Sequence, residues 1–156
     1  MTETKVFAID TLDALPAYVG REVAVSPWFP ILQDRVTRFA EVTEDNQWIH
    51  VDPERARRES PYGTTVAHGY LTLSLLPCLA SGCIRVGGVR MGVNYGLNRV
   101  RFVSPVRVGD SIRARFTLRA ADPVPGGMQV VWHAVVEVGG SDKPACVAEM
   151  VSRRYV

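Results

Sequence analysis

Thr64-Thr65-Val66-Ala67-His68-Gly69-Tyr70-Leu71-Thr72-Leu73-Ser74-Leu75-Leu76-Pro77-Cys78-Leu79-Ala80-Ser81-Gly82 is the stretch that decides the fold. It is the most apolar segment of the chain and contains no Asp, Glu, Lys or Arg. A helix with this composition is apolar nearly all round, which predicts a helix buried inside a soluble fold. From Gly69 to Ala80 it spans roughly 18 Å at about 1.5 Å per residue. A membrane crossing needs about 20 apolar residues, so the segment is too short to span a bilayer. Gly82 is a natural stop. Pro77 cannot donate to the Leu73 carbonyl and is expected to kink or end the helix. At the other end, His68-Gly69-Tyr70 leaves unpaired backbone N–H groups facing an apolar interior, a setting that stabilises negative charge on an oxygen.

The rest of the composition fits one domain over residues 1–156, long enough to bury its own core. Hydrophobic residues make up 47% and charged residues 22%. The 18 Lys and Arg nearly balance the 16 Asp and Glu, and the Arg residues are scattered, which argues against a nucleic-acid partner. Cys78, Cys83 and Cys146 show no metal-ligand spacing and read as buried thiols. The first ten residues lack the apolar core of a signal peptide, and a reducing cytoplasm is the expected location.

Towards the amino terminus, Asp10-Thr11-Leu12-Asp13 reads as a helix start, with Leu12, Leu15 and Val19 on one face and Gly20 as its stop. Pro27 and Pro30 bracket a loop around Trp28 and Phe29. Gln33 to Thr43 is helical by its stripe of Val36, Phe39, Ala40 and Thr43, although Leu32 is a poor N-cap. Turn chemistry follows at Thr43-Glu44-Asp45-Asn46. Asp52-Pro53-Glu54 is a strong helix start, and Ser60-Pro61-Tyr62-Gly63 ends that helix.

After Gly82 the pattern changes to strands. Leu97 to Val103 alternates, and Ile112, Ala114, Phe116, Leu118 and Ala120 alternate with polar residues. Pro123 to Gly127 reads as a loop. Met128 to Val138 is apolar on both faces and is expected at the centre of a sheet. Ala145 to Val151 closes an antiparallel meander of at least four strands. Together with the apolar helix, this predicts an α+β fold in which a curled sheet wraps a long central helix.

Two residues suggest chemistry. Asp45 and His50 lie five apart, which is about 140° on a helix and opposite faces on a strand. Only an irregular loop brings them together, and the turn signals at Asp45-Asn46 predict one. A carboxylate and an imidazole in one site form a general acid/base pair. On spacing alone, a turn or capping residue for Asp45 and a hydrogen-bonded structural histidine for His50 are the favoured readings. His68 reads first as a cap or a buried hydrogen bond, Ser74 as a serine bonding back to its helix, and His133 as structural. Tyr62 and Gly63 are placed to shape an entrance ahead of the central helix. Asn94, Tyr95 and Asn98 form a polar cluster open to a loop or a neighbouring-subunit reading.

Glu44-Asp45-Asn46-Gln47-Trp48-Ile49-His50 resembles the signature of the MaoC-like family of (R)-specific enoyl-CoA hydratases, the hydratase 2 enzymes, which have the hot-dog fold. That signature runs Gly-Asp-any-Asn-Pro-aliphatic-His, with a small residue further on. Asp45, Ile49, His50 and Ala56 match it, whereas Glu44, Gln47 and Trp48 stand where Gly, Asn and Pro are usual. Gln47-Trp48-Ile49-His50-Val51-Asp52-Pro53 resembles the single-hot-dog subgroup related to nodulation protein N. Ala67-His68-Gly69 resembles the family's central-helix start, and Phe102 to Asp110 the strand and turn after it.

The resemblance implies hydration of a trans-2-enoyl-CoA to a (3R)-hydroxyacyl-CoA, reversible as dehydration. Asp45 and His50 are then the catalytic pair and the Gly69 N–H the oxyanion donor, with His68, Ser74, Tyr62 and Gly63 around the substrate. No metal and no cofactor is implied, since the CoA thioester is itself the substrate. A homodimer is implied as well, because a single unit leaves a sheet edge open. Two rival readings share the fold: a thioesterase, disfavoured because the Gly69–Gly82 segment contains no acid, and a non-catalytic acyl-CoA-binding subunit, disfavoured by the presence of both Asp45 and His50.

Overall fold

The computed structural model describes residues 5–156, so the first four of the ten residues expected to lack a signal-peptide core lie outside the described residues. The apolar stretch forms the expected helix in two pieces, α4 (Gly69–Ser74) and α5 (Leu76–Ser81), which break at Leu75. Pro77, in the first turn of α5, supplies no N–H and is the cause of the break. The helix is not buried all round, contrary to the composition. Leu71, Thr72, Leu75, Leu76 and Leu79 face the core, whereas Tyr70 is 68% exposed and Ser74, Pro77 and Cys78 are open too. Cys78 is thus an exposed thiol, while Cys83 and Cys146 are buried as expected.

Helix α1 occupies Gln33–Thr43 as the pattern predicts and buries Val36 and Ala40. No side chain caps it at Leu32. A four-residue turn, α2 (Trp48–Val51), precedes α3 (Pro53–Glu59). Asp52 caps α3 by accepting from the Arg55 N–H at 2.9 Å, with Pro53 at its first position. The amino-terminal helix is shorter and tighter than expected. It is a 3-10 helix over Leu12–Tyr18 with Pro16 inside, burying Leu12 and Leu15 and leaving Val19 exposed.

Eight strands are described: β1 (Phe7–Ile9), β2 (Glu22–Val25), β3 (Phe29–Pro30), β4 (Ile84–Val86), β5 (Met91–Phe102), β6 (Ser111–Val124), β7 (Gly127–Val138) and β8 (Cys146–Tyr155). The main sheet runs β2-β6-β7-β8-β5, and β3 also pairs with β6. β7 is central, as its two apolar faces predict. The meander is confined to β6, β7 and β8, because β5 crosses over and pairs with β8 rather than with β6. A bulge between Leu118 and Ala120 carries β6 on to Val124. The loop expected over Pro123 to Gly127 therefore shrinks to Pro125-Gly126, where Gly126 takes a positive φ of 76°. The Phe29–Pro30 segment, read as loop, makes a short ladder, and β1 and β4 form a separate parallel pair.

The inward residues of the sheet pack on α4 and α5. They include Ile112, Phe116 and Leu118 of β6, Val130, Trp132 and Ala134 of β7, and Cys146 and Ala148 of β8. The sheet is open, with β5 at one edge and β2 and β3 at the other. β5 is twelve residues long and exposed along nearly its whole length. The cluster of Asn94, Tyr95 and Asn98 lies on this strand and not in a loop.

Candidate active site

Three segments meet at the start of the central helix: the turn after α1, the α2 turn, and the extended chain from Thr65 to His68. Helix α1 is stopped by Glu44, the one described non-glycine residue with positive φ, at φ 59° and ψ 17°. This left-handed step turns the chain so that Asp45 enters the gap between α1 and α2. The expected irregular loop is therefore present, but it holds only Asp45. His50 lies on the short helical turn after it.

His50 is 7% exposed and His68 2%. Their rings stack at 3.8 Å between centroids with 23° between planes, and Phe39 closes the other side of His68 at 5.0 Å. Each imidazole is held by a carbonyl. His50 Nδ1 donates to the Val66 carbonyl at 2.6 Å, which leaves Nε2 as a free lone pair. His68 Nε2 donates to the Asp45 carbonyl at 2.9 Å, so the second histidine anchors the turn that carries the carboxylate. His68 Nδ1 is buried without a partner. Burial is the main influence on His50 and lowers its pKa below 6.5. His68 adds to that lowering, while the bond to Val66 and the Asp45 carboxylate oppose it.

The three acid/base side chains converge. Atoms of Asp45, His50 and His68 that could hold a ligand lie within 4.8 Å of one another. The sequence showed no metal-ligand spacing, yet folding gathers three donors at one point. The two imidazole planes are nearly parallel, and each ring already commits one nitrogen to a carbonyl, which leaves one nitrogen per ring for a ligand or a proton.

Gln33 is a residue that the sequence reading missed. From the first turn of α1 its Nε2 donates to the His50 carbonyl at 2.8 Å. Its Oε1 accepts from the hydroxyl of Thr65, itself buried, at 2.5 Å. Val66 N–H returns a bond to the Ile49 carbonyl at 3.0 Å. The α2 turn is thus fastened on both sides. Nothing in the local pattern marks Gln33, because its partners lie 17 and 32 residues away.

Gly69 opens the helix, and its N–H precedes the first intrahelical donor, the Leu71 N–H, which bonds to the His68 carbonyl. A Cβ here would come within 2.9 Å of the Phe102 ring, so only glycine fits beneath that ring. Tyr70 meets Phe102 edge-on at 5.6 Å. Ser74 donates to the Tyr70 carbonyl at 2.7 Å, the back-bond expected of it, but from the exposed face. Ser74 also borders a groove of about 330 Å³ between the helix and β5, along with Leu73, Leu97 and Met150. Tyr62 and Gly63 lie in the turn that leads into Thr65, with Gly63 at φ 69°, and neither is joined to the two histidines by a hydrogen bond or ring contact. His133 sits on β7 opposite Glu149, away from this cluster.

A curled antiparallel sheet packed on an apolar helix is the hot-dog fold. A family model described as a MaoC like domain matches residues 15–138, and the chain belongs to this MaoC-like dehydratase family. It is 49% identical to 3-hydroxyacyl-thioester dehydratase Z of Mycobacterium tuberculosis, over 89% of this chain and 92% of that protein. It is 42% identical to nodulation protein N of Rhizobium leguminosarum, over 91% and 89%. Among solved structures, the unliganded R-hydratase of Pseudomonas aeruginosa superposes with a TM-score of 0.67 at 19% identity, covering 88% of this chain and 81% of that one. That last likeness is one of fold.

Proposed function

We propose that this chain is a hydro-lyase that adds water to trans-2-enoyl-CoA thioesters and yields (3R)-hydroxyacyl-CoA, with dehydration as the reverse reaction. The observation that carries the reading is the fixed tautomer of His50. With Nδ1 committed to Val66, Nε2 is left as a lone pair on a ring clustered with the Asp45 carboxylate and His68. Its lowered pKa keeps it neutral, and so basic, at neutral pH.

The steps follow from that arrangement. A water lies between Asp45 and His50. His50 Nε2 takes its proton as the oxygen bonds to C3, while Asp45 orients the water and balances the imidazolium charge. The electron pair moves to the thioester oxygen, which accepts from the Gly69 N–H. The proton then returns to C2. His68 positions Asp45, and Ser74, Tyr62 and Gly63 border the path of the substrate. The reaction needs neither metal nor cofactor. The acyl chain runs along the groove between the helix and β5.

Two copies pair through β5 in this reading. Its exposed Met91, Val93, Tyr95 and Leu97, with Tyr70 on the bare helix face, form an apolar edge that an isolated chain leaves in water. This also accounts for a helix with no charge on its outer face. Three free cysteines suit a reducing cytoplasm, and no described helix is long and apolar enough to cross a membrane.

The test is hydration of a short and a medium trans-2-enoyl-CoA, with product configuration determined, by wild type and His50→Gln. A (3R) product that the variant fails to form supports the assignment. Release of free CoA without hydration replaces it with a thioesterase. Saturable binding with neither reaction replaces it with a binding subunit.

A further inference from the structure

The inner face of the sheet changes character along the helix. Near Gly69 its inward positions are apolar, with Phe102, Val100 and Leu97 on β5 and Ala148 on β8. Further along β8 the inward series continues as Met150, Ser152 and Arg154. The register sets Asn94 opposite Ser152 and Gly92 opposite Arg154. Strand alternation calls for an apolar side chain at each of these positions, and three polar ones stand there instead.

Two of these groups lack a counterpart. Ser152 is 4% exposed, and its Oγ has no hydrogen-bond partner among the described residues. Arg154 is partly buried, and burial alone shifts its guanidinium, downward, with no carboxylate among the described residues acting on it. Its space is prepared, since a Cβ on Gly92 would lie 2.6 Å from Arg154 Nη1. Both residues line a cavity of about 680 Å³ at the far end of the helix, bordered by Pro77 and Ala80. Pro77, Asn94, Met150 and Ser152 also line the groove beside Leu73, so the two spaces share a wall. Together they form a trough beside the helix from Leu73 to Ser81.

We propose that Arg154 and Ser152 form an anion subsite for a carboxylate at the remote end of the acyl chain, which makes the substrate class the mono-CoA thioesters of long α,ω-dicarboxylic acids. The inference rests on the reading of this trough as the acyl channel. A methyl terminus would leave a desolvated guanidinium against hydrocarbon. A carboxylate there forms charge-assisted hydrogen bonds with Arg154 and accepts from the Ser152 hydroxyl.

The experiment is calorimetric titration of the protein with dodecanoyl-CoA and with the mono-CoA thioester of dodecanedioic acid, in wild type, Arg154→Met and Ser152→Ala. The dicarboxylic thioester is expected to bind wild type at least about tenfold more tightly. Arg154→Met is expected to abolish that preference and Ser152→Ala to reduce it. Thermal melting of ligand-free Arg154→Met, expected to rise, checks that the cation lacks a partner. Equal affinities in wild type, a preference that survives Arg154→Met, or a fall in its melting temperature each overturn the subsite. Preference without hydration of the corresponding 2-enoyl thioesters keeps the subsite and removes the hydratase reading. Hydration without preference does the reverse, and failure of both thioesters to bind removes both.

Discussion

The two ends of the central helix handle buried polar groups in opposite ways. At the Gly69 end, His50, His68, Gln33 and Thr65 are tied to carbonyls and to one another across three segments, and only His68 Nδ1 is left over among the described residues. At the Ser81 end, Ser152 and Arg154 line a cavity with no acceptor or carboxylate against them among the described residues. Unmet polar groups in a folded interior are expensive, so they persist where something else meets them. A tied network fixes the geometry of a reaction, whereas a loose one waits for a ligand.

The sharpest way to break this contrast is to remove the pair at the tied end. His50→Gln and Asp45→Asn are each expected to lower the hydration rate by about 10²–10⁴ with folding retained. Steady-state kinetics with a trans-2-enoyl-CoA decides it. Near wild-type turnover in either variant would show that the residue is only part of the scaffold.

Acidity is the next lever. His50 titrates below 6.5 because burial disfavours its charged form. Between that lowered value and 6.5 the unfolded chain binds more protons at this residue than the native one. Its contribution to stability is therefore complete above 6.5 and lost as the pH falls through the native value. The rate should follow, with kcat/KM level near neutrality and falling about tenfold per pH unit on the acid side of the native value. A rate that is already falling above 6.5 would place the essential base elsewhere.

Gln33 tests whether the network matters more than its members. Gln33→Ala leaves the Thr65 hydroxyl buried without its acceptor and frees the His50 carbonyl. A loss of about 1–3 kcal/mol in urea unfolding is expected, with a smaller fall in rate than His50→Gln gives. An unchanged urea midpoint would show that α2 is held by the Val66–Ile49 bond and packing alone.

What the sequence made legible divides along the same line. Helix α1 and the Asp52-Pro53 cap were readable because the signals lie within one helical turn of their effects. The Asp45–His50 pairing was readable as a spacing, and the resemblance turned it into a site. Gln33 and the Val66 carbonyl were not, since they act across 16 to 32 residues. The crossover of β5 to β8 is also non-local. The exposed face of α4 and α5 misled because an uncharged, apolar composition does not say which side of a helix meets the sheet.

Glu44 offers the smallest effect and the most local one. It holds φ 59° at the step that delivers Asp45, a conformation that costs a side chain about 1–2 kcal/mol and a glycine nothing. Glycine also stabilises the unfolded chain by about 0.5–1 kcal/mol through its extra freedom. The difference favours Glu44→Gly by about 0.5–1 kcal/mol, read as a higher urea midpoint at unchanged slope. The turn geometry is kept, so the hydration rate should stay within about twofold. A destabilised variant would mean that the exposed Glu44 side chain does something the backbone argument leaves out. A stabilised and active one would show that strain at the tied end comes from the residue chosen there, and that the chemistry does not need it.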